Sequence, residues 1–265
     1  MSDLSAQSIR EALAACETGP FGARLEVYPQ IGSTSDAARR LAGQGAPEGT
    51  IVLADEQTAG RGRMGRRWFA PPGSSLMFTT VFRPALPPDR LYRLVMACGL
   101  AAAEGCESTA AVHVEVKWPN DLQIGGKKLA GILPESSLLG ERVEWAILGI
   151  GINVSQDFST DPELSQTAIS LREAAPSTQP IDRAVLLGRI LERLNGWYGR
   201  LDDAALLDAW RGRCVTLGRQ VRVELSGSVL EGVAEEIDLT GALWLRTGAG
   251  ERRRLTISEA HILGE

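Results

Sequence analysis

Four arginines, Arg61, Arg63, Arg66 and Arg67, fall within seven positions of the stretch AGRGRMGRRWFAPPG (59–73), with no acid among them, in a chain of net charge −5. Arginine presents a planar fork that pairs bidentately with phosphate or carboxylate, and glycines between arginines let several forks converge on one anion. The segment reads as a phosphate clamp or as a solvated surface loop; taken alone it does not decide. Gly60, Gly62 and Gly65 also spell the G-x-G-x-x-G spacing of a dinucleotide turn. Such a turn must open directly into a helix whose N-terminus meets the pyrophosphate. Here RRWFAPPGS follows, and Pro71 and Pro72 argue against that helix.

A second group of candidates lies in VEVKWPNDLQIGGKKLAGILPE. Pro119 restricts Trp118 to an extended conformation and leaves Asn120 and Asp121 as polar groups at a turn. The plain alternative is a hairpin corner with a half-buried tryptophan. Strand alternation points Lys127 and Lys128 to opposite faces, so one of the two faces a given pocket. A lysine facing the arginine loop can neutralise a carboxylate and the phosphate joined to it, although a lone strand lysine ordinarily faces solvent. In LGIGIN, Gly149 and Gly151 weaken a strand unless something approaches the backbone closely, and a flat ligand would account for them. His113 and His261 are the only histidines, too few for a histidine-based triad, and His113 reads as structural. No Walker A, zinc or paired-carboxylate motif stands out.

The elements that must position these groups follow from periodicity. A short leading helix is expected between Ser2 and Glu17, capped at Ser2 or Asp3. A strand over Arg24 to Tyr28 precedes a helix start at GSTSDAARRLA, where Ser33, Thr34 or Ser35 can cap. GTIVLADEQ reads as a buried strand entering the arginine loop, Ser75 to Phe82 as a strand, and Leu91 to Glu104 as a helix. VHVEVKW, a Gly125-Gly126 hairpin and the apolar VEWAILGIGINV then form a strand-rich stretch. Helices are expected over Leu164 to Glu173, Ile181 to Leu201 and Ala204 to Gly212. After Cys214 the period changes to short alternating strands, as in a small β-barrel. The mixed order predicts an α+β class with helices on a largely antiparallel sheet.

At 265 residues and 44% hydrophobic content the chain can bury a substantial core, and its acidic balance opposes general polyanion binding. Cys16, Cys98, Cys106 and Cys214 form no C-x-x-C pair, and no apolar run approaches the ~20 residues of a spanning helix. A cytoplasmic protein without targeting segment, DNA or membrane partner is expected.

GRGRMGRRW, KWPNDLQIGGKKLAGIL and LGIGINV, in this order, resemble the bacterial biotin protein ligases, from about Gly32 to the end of the chain. The resemblance implies a class II synthetase-like (biotin/lipoate ligase) catalytic domain over 1–212 and an SH3-like β-barrel over 213–265. It implies that biotin and ATP give biotinyl-5'-AMP, with Mg²⁺, before transfer to a lysine of a biotin carboxyl carrier protein. A lipoate ligase-like enzyme of the same fold and a non-enzymatic nucleic-acid-binding regulator are the alternatives.

Matched residue by residue, the resemblance implies that Ser33, Thr34, Ser35, Gln57, Arg61, Gly62, Arg63, Lys128 and Gly131 contact biotin. Arg61, Arg63, Trp68, Asn120 and Asn153 fall on the ATP or adenylate, Lys128 and Arg63 on the catalytic positions, and Asp121 on a magnesium position. Arg66 and Arg67 stay between pyrophosphate and solvent. Many relatives carry an N-terminal helix-turn-helix, and with so few residues ahead of the catalytic region transcriptional repression is not expected. The resemblance allows a homodimer. Ser35 stands where the family usually has Asn, and the ending ISEAHILGE departs from the family's short acidic-serine ending.

Overall fold

The apolar runs in the first two thirds of the chain assemble into one sheet. In the computed structural model, which describes residues 3–225, 228–257 and 260–263, its strands are Leu25–Ile31 (β1), Ile51–Gln57 (β2), Ser75–Phe82 (β3), Glu115–Lys117 (β4), Asp121–Ile124 (β5), Lys127–Leu139 (β6) and Arg142–Asn153 (β7). Their spatial order is β1-β2-β3-β7-β6-β5-β4; β1 and β2 are parallel and the other pairs antiparallel. Every residue of β3 is buried, which explains its unbroken run SLMFTTVF: a central strand covered on both faces needs no polar alternation.

The helices are Ala6–Ala14 (α1), Thr34–Gly43 (α2), Tyr92–Ala110 (α3), Leu164–Thr167 (α4), Leu171–Ala174 (α5), Arg183–Tyr198 (α6) and Ala204–Arg213 (α7). On one face α2 brings Ala38, Leu41 and Ala42 against Val52, Val81 and Ile147. On the other, α3, α6 and α7 share the main core with Phe78, Leu148, Ile150 and Ile152. The mixed α+β architecture expected from the order of elements is the one found. Two local expectations differ. α1 starts later, because Ser5 caps it while the Asp3 carboxylate pairs with the buried Arg183; Ser2 lies outside the described residues. The helix expected over 164–173 is broken into α4 and α5, because Ile169 donates its N–H to the Lys128 carbonyl and Ala168 bridges Lys128 at the edge of β6.

The last part of the chain forms a separate antiparallel sheet of Gln220–Leu225 (β8), Ser228–Ile237 (β9), Leu243–Thr247 (β10), Arg252–Leu255 (β11) and Ala260–Ile262 (β12), in the order β11-β10-β9-β8-β12. The expected barrel is not closed among the described residues: β11 and β12 are both edges. Next to the β12 edge, the Ile257 and Ala260 carbonyls accept from the Arg63 guanidinium. Ser258 and Glu259, part of the unusual ending, lie outside the described residues.

The two sheets are joined by direct contacts. Val215 donates its N–H to the Val116 carbonyl at 2.9 Å. Trp118, for which a half-buried hairpin corner was the plain alternative, is 1% exposed; its backbone N–H donates to Thr216 Oγ1 at 3.0 Å and its Nε1 to the Gly241 carbonyl at 2.9 Å. Indole buried with its one donor satisfied is a stable anchor. None of the helices among the described residues is long and apolar enough to cross a membrane.

Candidate active site

The site is built on the sheet face that carries α2. Directly opposed residues of an antiparallel pair point to the same face, so Gly131 and Gly151 share it, as do Leu133 and Gly149. Simple alternation back from Gly131 would put Lys127, not Lys128, on this face. The register of β5 and β6 shifts at this point: Asp121 pairs with Gly131 and Leu122 with Ala130, but Gln123 pairs with Lys128, leaving Leu129 as an extra residue. A bulge of this kind re-aims a side chain. It turns Lys128 to the face of Gly131 and Asp121, where Lys128 Nζ donates to Asp121 Oδ1 at 2.7 Å.

A cavity of about 310 Å³ lies over this face. At one end, Ser33, Thr34 and Ser35 open α2, and all three are buried. Helix N-termini leave unpaired N–H groups. Ser33, at the cap position, makes no side-chain capping bond; Gln57 at the end of β2 supplies it, its Oε1 accepting from Thr34 N at 2.8 Å and Thr34 Oγ1 at 3.1 Å. Thr79 Oγ1 donates to Thr34 Oγ1 at 2.9 Å. At the other end, Asn153 closes β7 and donates its amide to the Ile169 carbonyl at 3.2 Å and the Lys128 carbonyl at 3.4 Å. Strand rise of about 3.3 Å per residue separates Gly149 from Asn153 by about 13 Å, with the Lys128 ammonium beside the midpoint, Gly131 opposite Gly151.

The strand glycines do need close neighbours, but both neighbours belong to the chain itself. A Cβ on Gly151 would lie 2.6 Å from Trp68 Cε2, and one on Gly149 2.7 Å from Ser35 Oγ. Trp68 is thereby laid over β7, and its backbone N–H donates to the Gly60 carbonyl, pinning the end of the arginine loop. We expect Gly151→Ala to displace the indole and loosen this loop. Trypsin should then cut between Arg61 and Arg67 about fivefold faster, as ~1 kcal/mol of lost packing would allow. Unchanged cleavage would show that Trp68 does not anchor it.

The loop itself is a pinched turn, with Arg61 bridging Arg67 and Met64 at a φ of 54°. It forms the wall between the smaller cavity and a groove of about 1270 Å³ bounded by Leu91, Leu94, Val95 and the C-terminal Thr240 and Thr256. The polar constellation belongs to the smaller cavity; the groove is mainly apolar. Both central guanidiniums are held by protein oxygens. Arg61 pairs with Asp36 at 2.7 Å and Glu135 at 3.1 Å. Arg63 donates to Asn120 Oδ1 at 3.2 Å and to the Ile257 and Ala260 carbonyls. Burial draws the Arg63 pKa below the ordinary arginine range, the nearby Asp121 opposing it. A half-buried guanidinium held mainly by neutral oxygens remains attractive to an anion. Arg67 reaches the Thr58 carbonyl at 3.5 Å.

All the residues assigned by motif therefore border one cavity: Ser33, Thr34, Ser35 and Gln57 at one end, Lys128, Gly131, Asn120 and Asp121 in the middle, and Asn153 at the other, with Arg61, Gly62, Arg63 and Trp68 as its wall. Gln156, Phe158, Leu164 and Ala168 also line it, and sequence reasoning missed them. Their only signal was the polar interruption after LGIGINV; the break that folds 164–173 onto Lys128 is a long-range event. His113 borders neither cavity and sits 3.4 Å from Glu107. The arginines of the C-terminal sheet are charge-balanced: Arg246 and Arg252 pair with Glu235, Arg253 with Glu251 and Arg254 with Asp238. That face does not offer the uncompensated cations that bind polyanions.

Comparison with known proteins matches residues 27–153 to the Biotin/lipoate A/B protein ligase family and residues 216–260 to the Biotin protein ligase C terminal domain. The Bifunctional ligase/repressor BirA of Bacillus subtilis is 36% identical over 254 residues, 94% of this chain and 77% of that protein. The Biotin--[acetyl-CoA-carboxylase] ligase of Mycobacterium tuberculosis is 34% identical over 252 residues, 92% of this chain and 91% of that one. The solved structure of the biotin protein ligase from Aquifex aeolicus in complex with biotin and ATP matches with a TM-score of 0.74 and 26% identity, covering 92% of this chain and 100% of that one.

Proposed function

Because this chain belongs to the biotin protein ligase family, we propose that it activates biotin with ATP and transfers it to a lysine of a biotin carboxyl carrier domain. In the first step a biotin carboxylate oxygen bonds to the α-phosphorus of ATP while the bond from that phosphorus to the bridging oxygen breaks, releasing pyrophosphate. In the second the acceptor lysine's amine attacks the acyl carbon, AMP leaves, and the nitrogen loses a proton. The observation that carries the reading is the Lys128 ammonium beside the midpoint of a two-ended pocket.

Two anions must meet there against their mutual repulsion, and a fixed cation between them lowers that barrier. We assign the end at Ser33, Thr34, Ser35 and Gln57 to biotin, whose ureido ring needs donors and acceptors at close quarters, with Gly131 leaving room for it. Trp68 and Asn153 take the nucleoside. Lys128 exchanges Asp121 for the carboxylate and α-phosphate, and Arg61 and Arg63 leave their protein oxygens for the adenylate, with Gly62 letting the chain approach. Asp121 and Asn120 would offer one carboxylate and one amide oxygen to a magnesium ion brought by ATP, a donor set suited to an ion held mainly by phosphate, and the ion would offset the charge of the phosphates. We divide the chain at 212/213 and place the reaction in the cytoplasm, in keeping with four free thiols.

The test is radiolabelled pyrophosphate exchange into ATP. We expect exchange with biotin and none with lipoate, and incorporation of biotin into a carrier domain only when its target lysine is present. Exchange supported by lipoate alone would overturn the substrate assignment.

A further inference from the structure

Two buried polar atoms in the smaller cavity have no hydrogen-bond partner: Gln156 Oε1 and Trp68 Nε1. Buried acceptors and donors are nearly always paired, so two orphans in one cavity, an acceptor and a donor, mark positions that a ligand satisfies. Neither belongs to the biotin end. Gln156 follows Asn153 by three residues, beyond the end of β7, and it shares this end of the cavity with the apolar side chains of Phe158, Leu164 and Ala168. These can pack against a flat ring. Asn153 commits its amide nitrogen to the Ile169 and Lys128 carbonyls, so it has no free N–H for a two-point contact.

We propose that Gln156 reads the nucleobase and selects adenine. This rests on the reading above that the pocket holds ATP. A carboxamide matches adenine at two points: its oxygen accepts from the exocyclic amine while its nitrogen donates to the neighbouring ring nitrogen. Guanine and hypoxanthine carry a carbonyl at that position beside the acceptor N7, so whichever way the carboxamide turns it meets acceptor against acceptor at one of the two points. The Trp68 indole N–H donates to a further acceptor of the same nucleotide. Gln156 is thus a specificity residue that touches substrate, without a part in the chemical step.

The experiment compares ATP with purine riboside triphosphate, which lacks the exocyclic amine, and with ITP, each by competition against a fluorescent ATP analogue on the full chain. The parent should bind ATP about tenfold tighter than purine riboside triphosphate, the factor one net hydrogen bond supplies. In Gln156→Leu, both contacts go, so ATP should weaken by more than that factor, purine riboside triphosphate by less, and the two nucleotides become equivalent, while the KM for biotin in the exchange assay stays within about twofold. Gln156→Met, apolar and of the same length, repeats the measurement should the leucine variant fail to fold. An undiminished preference for ATP in a folded variant, or a loss that falls on biotin instead, overturns the assignment. Exchange by the parent without any biotin would sink the functional reading instead, and the nucleotide competition would still decide on Gln156.

Discussion

Lys128→Ala is expected to reduce biotin-dependent pyrophosphate exchange by about 10²–10³-fold, the loss typical of removing a preorganised group aimed at developing charge. The fold should survive. Lys128 and Asp121 form a half-exposed pair, with side chains 40% and 28% exposed, and such pairs contribute at most about 1 kcal/mol. Lys128→Arg should not restore the rate, because the guanidinium fork presents its charge in a different place and shape from a compact ammonium. Stopped-flow or exchange assays beside a urea unfolding curve separate the two effects. Turnover near that of the parent in a folded Lys128→Ala variant would remove the residue from the mechanism.

Trp118→Ala is expected to be the most damaging substitution for stability outside the site. Truncating a fully buried tryptophan costs about 3–5 kcal/mol, which in a chain of this size lowers the thermal midpoint by roughly 6–10 °C. The substitution also leaves the Gly241 carbonyl without its donor, Trp118 Nε1. Trp118→Phe keeps most of the ring and should cost about 1–2 kcal/mol, chiefly the unpaired carbonyl. Differential scanning calorimetry decides, and an alanine variant melting within about 2 °C of the parent would contradict the anchoring role.

The contrast between these two lysine and tryptophan positions shows what a sequence can and cannot disclose. The strand and helix periods, the Gly125-Gly126 turn and the succession of arginine loop, lysine hairpin and glycine strand are all local signals. They were enough to outline a mixed sheet and to gather the polar candidates. Other features depend on partners far along the chain. Strand alternation alone would favour Lys127; the bulge at Leu129 that turns Lys128 to the site instead is a property of pairing with β5. The cap of α2 comes from Gln57, twenty-three residues away, instead of from the serine at its start. The glycines of β7 looked like room for a ligand, and they accommodate Trp68 and Ser35. Residues 164–173 carry helical spacing that the Lys128 backbone overrides by offering a better partner for Ile169. The C-terminal sheet was expected to close into a barrel, yet β11 and β12 stay its two edges among the described residues, and the guanidinium that binds beside β12 comes from residue 63.

That guanidinium has one further consequence. Arg63 joins Asn120 in the catalytic sheet to the Ile257 and Ala260 carbonyls in the C-terminal sheet, so a single side chain fastens two bodies. An anion that draws Arg63 into the small cavity does so at the expense of those carbonyls. By reciprocity, whatever free energy the anion gives up to detach Arg63 is the free energy by which its presence loosens the C-terminal sheet, and holding that sheet fast weakens the anion's binding equally. Occupancy of the cavity and the mobility of a domain that contributes little to its lining are therefore two measures of the same equilibrium.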